Sequence, residues 1–219
     1  EMGHGDVDAG FAEADVVIVF ATVDKSLKHR GITAFVVEKG TPGFSVGKLE
    51  HKLGIRASST AELVFEDCFV PEFNRLGNEG DGFKIALNAI DSSRITIAAQ
   101  ALGIAQGAFD KALAYAKERR QFGQPIAYFQ AIRKKLGDML VRTFMLDSVI
   151  YRTVGLMDEG VADLDHDDPG YYRKVMDGLE EYAIEASISK VLGSETIFQV
   201  VDHGIQIHGG YGFSEEYPM

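Results

Sequence analysis

The 219-residue sequence predicts an α+β chain of more than one domain. A small antiparallel β-sandwich or open barrel is expected over residues 1–81, followed by an antiparallel four-helix-type bundle over residues 82–219. Three observations carry this. Short β-branched runs separated by Gly and Pro turns fill the first part. The hydrophobic period then changes from strand-like to helical at Gly82. Finally, one long seam of apolar residues alternates in steps of four and three, the spacing of a helix packed nearly antiparallel in a bundle.

Taken in order, Asp15–Val23 is almost continuously apolar and predicts a strand buried on both faces. Asp24–Arg30 is a polar turn, and Gly31–Glu38 is a second strand. Lys39-Gly40-Thr41-Pro42-Gly43 is a turn, because proline presets φ and glycine accepts positive φ. Phe44-Ser45-Val46 restarts a strand. Another covers Glu62–Val70, with Leu63, Phe65 and Phe69 on one face and Glu62, Glu66 and Cys68 on the other, stopped by Pro71. Beyond the junction near Gly77–Gly82, Phe83, Leu87 and Ile90 open a helical stripe that Leu102, Ala105, Phe109, Leu113 and Ala116 continue. The regular seam is Ile132, Leu136, Met139, Thr143, Leu146, Ile150, Val154 and Met157. The Asp-rich stretch Gly160–Gly170 is a loop by composition. Two further helices are expected, Leu179–Leu192 and Ser194–His208, the second stopped by Gly209-Gly210.

Hydrophobic residues at 46% and charged residues at 25% describe an ordinary globular chain. A net charge of -11 argues against nucleic acid or an anionic membrane surface as the main partner. Five of those negative charges, on Glu159, Asp163, Asp165, Asp167 and Asp168, sit around one loop, so bulk charge says little about a local site. The single cysteine, Cys68, rules out an internal disulfide and suits a reducing compartment. The longest strictly apolar run, Val16–Ala21, is too short to span a bilayer. No signal-peptide pattern opens the chain, and an intracellular protein is expected.

Several constellations have both a structural and a chemical reading. Gln206-Ile207-His208-Gly209-Gly210-Tyr211-Gly212 is either a helix C-cap with a tight turn or a place where backbone N–H groups approach an anionic cofactor. It is not a dinucleotide fingerprint, which needs a strand before the glycines and a helix after them. Arg119-Arg120-Gln121-Phe122-Gly123 closes a helix. Its cations either complement the helix dipole or offer a guanidinium to phosphate beside an aromatic face. Asp91-Ser92-Ser93-Arg94 interrupts a stripe, as a kink, a cap or a ligand-facing segment. His203 and His208 lack the helical Glu-x-x-His pairing of a di-iron bundle site, and no nucleophile elbow supports a Ser-His-Asp triad. The Asp-rich loop departs from the calcium-loop pattern and reads as solvated surface.

Together, these segments resemble the acyl-CoA dehydrogenase family along nearly the whole chain. The resemblance is carried by Arg30–Glu38 with Pro42-Gly43-Phe44, by Lys52–Thr60, by Glu62–Pro71 and by Gly80-Asp81-Gly82-Phe83-Lys84. It continues in Glu118–Ile126 with Phe129-Gln130, and in Gln206–Phe213. The Asp-rich insertion and Glu185–Glu195 are more similar to the long-chain branch than to the short- and medium-chain ones.

The resemblance implies FAD-dependent α,β-dehydrogenation of an acyl-CoA thioester, of the fatty-acid β-oxidation type. A carboxylate would remove the α-proton while the β-hydrogen leaves as hydride to the flavin. The α-proton is a very weak acid, so hydrogen bonds to the thioester carbonyl must stabilise the developing enolate. By resemblance, Arg119, Gln121, Phe122, Phe129, Gln130, Gln206, Gly209 and Gly210 are cofactor-binding. The glycine-rich contact usually serves the flavin of a neighbouring subunit, so a homodimer or homotetramer is implied. Asp91, Ser93 and Arg94 match the segment lining the acyl-CoA site, and an electron-transferring flavoprotein is the implied electron acceptor. The implied location is the bacterial cytoplasm, or the mitochondrial matrix in a eukaryote, with the former favoured. An acyl-CoA oxidase on the same fold and a non-enzymatic assembly module are the alternative readings.

Three departures bear on catalysis. The catalytic glutamate of most members falls beyond the position of Met219. Ser93 stands where one branch places its glutamate, immediately before Arg94. The Trp-x-Thr-Asn-type strand of the family has no counterpart at Gly5-Asp6-Val7-Asp8, and the family's N-terminal helical domain is not represented. The polypeptide of residues 1–219, assayed by itself, is therefore expected to give no dye reduction with an acyl-CoA and to retain FAD poorly. Measurable turnover, or a yellow protein with stoichiometric FAD, would contradict this.

Overall fold

The computed structural model describes residues 13–217. They fall into two compact units, divided between Leu87 and Asn88.

The first unit is built on small antiparallel sheets. Strand β1 (Val16–Thr22) pairs with β2 (Ile32–Glu38), with Val17 opposite Val37 and Val19 opposite Phe35. A 3-10 turn over Lys25–Gly31 connects them, and the Asp24 carboxylate at its start accepts from the Ser26 N–H at 2.8 Å. Strand β3 (Phe44–Leu49) pairs with β4 (Ala61–Phe65) in a separate two-stranded sheet. The short β5 (Arg75–Leu76) adds to the other edge of β2, giving the order β1-β2-β5.

Two strand expectations are corrected. β1 is not buried on both faces: Val17 is buried, whereas Val16, Ile18 and Phe20 are exposed, as on an edge strand with one packed face. β4 does not run to Pro71. The chain turns after Phe65, where Asp67 takes a left-handed φ of 48°, and Phe69 is left 80% exposed instead of sharing a face with Leu63 and Phe65. The Glu66 N–H donates to the Gly43 carbonyl at 2.9 Å, and a Cβ on Gly43 would stand 2.2 Å from the Glu66 carbonyl oxygen, so that crossing requires glycine.

The second unit is helical. Helix α1 (Gly82–Glu118) runs across the division between the units, without the kink or cap considered for Asp91–Arg94. A hairpin of β6 (Arg120–Gln121) and β7 (Gln124–Pro125) leads into α2 (Gln130–Val161), the short α3 (Tyr171–Glu180) and α4 (Ala183–His208). The seam falls where its spacing puts it: Leu136, Met139, Thr143, Leu146, Ile150 and Met157 are the buried face of α2, joined by Thr153. Leu136 and Met139 pack with Ala105, Ala112, Ala116 and Val200 in the main cluster, and Leu146 and Ile150 with Ala98 in a second one.

The last helices differ from expectation. A single α4 replaces the two helices expected to meet at Gly193, and α3 stands apart from it. Gly193 does not break the helix because its missing Cβ serves packing. A Cβ there would lie 3.2 Å from the Ala98 Cα and 3.4 Å from the Ala101 Cβ, tighter than most such contacts, so glycine lets α4 lie close against α1 without displacing it by a few tenths of an ångström. The contacts also give the directions. Arg94 meets Ser187 and Tyr115 meets His208, each pair 93 residues apart, so α1 and α4 run parallel. Thr153 meets Ser189 and Lys135 meets Gln206, so α2 runs antiparallel to α4.

Gly193→Val should therefore cost about 2–3 kcal/mol in urea denaturation, through overpacking of the α1–α4 contact. Phe144→Ala, on the 68% exposed side of α2, should stay within about 0.5 kcal/mol.

Candidate functional site

The hairpin after α1 explains how Arg119–Gly123 is shaped. Phe122 and Gly123 have φ values of 51° and 84°, and Gln121 pairs with Gln124 across them. This is a two-residue loop with both central residues left-handed, the geometry that suits the twist of the flanking strands. Glycine meets it at little cost, whereas a bulky aromatic does not. Phe122 adopts it while 91% exposed, meeting the Phe129 ring edge-on at 6.1 Å. Its side chain is held out by the backbone rather than drawn in by packing.

Beside the hairpin is a cavity of about 510 Å³, wholly within the second unit. Tyr115 and Arg119 reach it from the end of α1, Gln121 and Phe122 from the hairpin, Phe129 and Ile132 from the start of α2, and His208, Gly209, Gly210 and Tyr211 from the end of α4. Gly209 caps α4 with φ 60°, and its N–H donates to the Gln206 carbonyl. An added Cβ at Gly209 or Gly210 would meet nothing within 4 Å, so both backbone positions border open space. The cap reading and the ligand-approach reading of this segment are thus compatible.

Two positive features face the cavity. The Arg119 backbone is fixed at both ends: its N–H donates to the Tyr115 carbonyl and its own carbonyl accepts from the Ile126 N–H, each at 2.8 Å. Its half-buried guanidinium lies over the Tyr211 ring, 5.4 Å from the centroid, and has no ion-pair partner among the described residues. No side chain caps the N terminus of α2, whose first free N–H groups carry partial positive charge. Burial pushes the Tyr115 phenol up, while Arg119 pulls it the other way, so this ring is a neutral donor at physiological pH. The arrangement suits an aromatic group that carries negative charge.

The residues singled out in the sequence separate into two sets. Arg119, Gln121, Phe122, Phe129, Gly209 and Gly210 converge on the cavity. Gln130 and Gln206 stand outside its wall, next in sequence to Phe129 and Ile207; Gln206 is engaged by Lys135 and, at 2.6 Å, by Asp202. Asp91, Ser93 and Arg94 lie at the far part of α1, about 36 to 40 Å from its end at 1.5 Å per residue. There Arg94 pairs with Asp91 and donates to Ser187 Oγ at 2.9 Å, and Ser93 Oγ donates to the Ile90 carbonyl at 2.8 Å. Sequence reasoning did not find Tyr115, Ile126, Ile132 and Tyr211 as wall residues. The only available signal was the adjacency of Tyr211 to the glycines, since Tyr115 reads as part of an ordinary helical stripe. His208, weighed only as a metal ligand, is instead buried, stacked on Tyr115 at 4.1 Å and bonded through Nδ1 to the Gly204 carbonyl at 2.9 Å.

Residues 80–219 match the family described as "Acyl-CoA dehydrogenase, C-terminal domain", and residues 9–68 its "middle domain". The short-chain specific acyl-CoA dehydrogenase of Megasphaera elsdenii is 44% identical over 206 residues, which are 94% of this chain and 49% of that protein. The crystal structure of an acyl-CoA dehydrogenase complexed with FAD from Bacillus anthracis matches with a TM-score of 0.86 and 42% identity, over 93% of this chain and 34% of that one. A chain in the structure of the electron transferring flavoprotein of Acidaminococcus fermentans matches with a TM-score of 0.82 and 44% identity, over 94% and 49%. The chain thus spans about half the length of the curated relatives it matches. Relatives named short-chain specific replace the long-chain likeness expected from the Asp-rich loop and Glu185–Glu195. Such a loop varies without touching the core and is a weak guide to a branch.

The left-handed Phe122 gives a direct test of whether this hairpin is shaped for stability or for a ligand. Phe122→Gly should leave the melting temperature unchanged or raise stability by up to about 1 kcal/mol, because it relieves a left-handed aromatic and removes no buried contact. A clear loss of stability would show that Phe122 is there for the fold.

Proposed function

We propose, from the premise that this chain belongs to the acyl-CoA dehydrogenase family, that it supplies parts of the cofactor and substrate sites of an FAD-dependent α,β-dehydrogenase of acyl-CoA thioesters. The observation that carries the reading is the cavity at the ends of α1 and α4, where Arg119 presents a guanidinium without a carboxylate partner among the described residues, between aromatic walls. A flavin nucleotide fits such a place chemically, because it joins flat aromatic rings to a negatively charged diphosphate. Arg119 and Gln121 donate to the phosphates, Phe122 and Phe129 cover a ring, and Gly209 and Gly210 let the ligand approach the backbone. Gln130 and Gln206 stand at the rim. When bound, FAD supplies the acceptor for a hydride from the β-carbon.

Asp91, Ser93 and Arg94 are proposed for the acyl-CoA side. Arg94 and Asp91 lie about 36 and 40 Å along α1 from the helix end that carries the Arg119 cavity, whereas the groups that exchange a hydride must touch. This separation supports a homo-oligomer in which the Arg119 cavity of one copy serves the active site of another, as symmetric dimers allow. The short-chain names of the relatives favour a short acyl chain. The match to a chain from an electron transferring flavoprotein structure favours such a protein as the electron acceptor. A bacterial cytoplasm or a mitochondrial matrix is the proposed location. Among the described residues, no helix is long and apolar enough to cross a membrane.

The composite site has a specific consequence. In the full-length protein, Arg119→Gln and Arg94→Gln should each abolish most dehydrogenase activity. Subunit exchange between the two variants should restore about a quarter of the wild-type rate, since half of the dimers are mixed and each holds one intact site. No recovery on mixing would mean that both residues serve the same chain's site.

A further inference from the structure

We propose that Tyr211 is a positioning residue for Arg119, holding the guanidinium through its π face so that the N–H donors stay free to fork onto a phosphate-bearing nucleotide. This rests on the reading of the cavity as a flavin-nucleotide site and deepens it.

An arginine meant to bind phosphate faces a conflict. Left alone, its long side chain loses much rotamer freedom on binding. Fixed by a carboxylate, its fork is occupied and its charge neutralised before the ligand arrives. An aromatic face avoids both, since it attracts the flat side of the cation and uses none of its five donors. Arg119 is in this situation: its backbone is pinned by Tyr115 and Ile126, and the Tyr211 ring lies 5.4 Å from its central carbon.

The ring beneath it is itself fixed. Tyr211 lies tilted against Tyr217 with ring centroids 4.7 Å apart, and Tyr217 meets the Tyr115 ring edge-on at 6.0 Å. Tyr115 stacks on His208, whose Nδ1 is tied to the Gly204 carbonyl. The turn carrying Tyr211 is pressed onto α4 at Gly212, where a Cβ would stand 2.4 Å from the Ile205 carbonyl oxygen. The guanidinium therefore rests on a platform anchored to both α1 and α4. Tyr211 remains 43% exposed, so it is not a core residue whose only use is burial.

The test is a double-variant cycle on the full-length protein, reading the FAD dissociation constant of the apoprotein by flavin fluorescence. Tyr211→Phe keeps the π face and should bind FAD within about twofold of wild type. Tyr211→Leu removes it and should weaken binding about tenfold. In the Arg119→Gln background the same Tyr211→Leu change should alter binding by less than about twofold, a coupling that a purely structural role would not produce. If Tyr211→Leu lowers the melting temperature, Tyr211→Met, similar in bulk and without a π face, is read in its place. Unchanged binding in Tyr211→Leu, or an equal loss in both backgrounds, overturns the proposal while leaving the cavity reading intact. Unchanged binding in Arg119→Gln alone overturns the cavity reading and the proposal with it.

Discussion

The close approach of α1 and α4 is the constraint on which the rest of the second unit depends. It is eased by Gly193 facing Ala98 and Ala101, because a Cβ there would sit in tight contact with both and press the helices apart by a few tenths of an ångström. It is reinforced where Arg94 bonds Ser187 and where Tyr115 stacks on His208. As the helices run parallel, their C-terminal ends arrive together. One end delivers Arg119 and the other delivers the glycines and Tyr211. The cavity is therefore a product of helix packing carried to its terminus, with α2 closing the third side through Phe129 and Ile132.

That dependence explains a tension in the site. The C termini of α1 and α4 bring partial negative charge toward the cavity, which disfavours an anion there. Arg119 and the uncapped start of α2 act against it. A cation that ends a helix can also face a ligand, so the two readings of Arg119 need not compete.

The bundle was legible in the sequence wherever a single element carried its own signal. The 4,3 seam from Ile132 to Met157 fixed the buried face of α2 because a helix with one packed face repeats it without interruption. The reading failed where the decisive fact was a neighbour. Gly193 reads as a helix end by composition but is a contact point for α1. Phe69 reads as the continuation of a strand that Asp67 has already turned. β5 is two residues long and has no period to detect. The site was legible in part: Arg119, Gln121, Phe122 and the glycines came from a motif, whereas Tyr115 and His208 enter the cavity through a stack between residues 93 apart, which no local pattern contains.

The parallel register of α1 and α4 also decides where this chain can change its length. One residue inserted into α4 before Gly209 turns everything beyond it by about 100° and shifts it by about 1.5 Å, which takes Tyr211 off the Arg119 guanidinium. The same insertion in the Asp-rich segment between α2 and α3 adds only loop entropy, about 0.6 kcal/mol for each doubling of loop length. Growth and shrinkage of the chain are thereby directed to the acidic turn, and the spacing from Gly193 to Tyr211 works as a fixed ruler between the helix contact and the ring beneath Arg119.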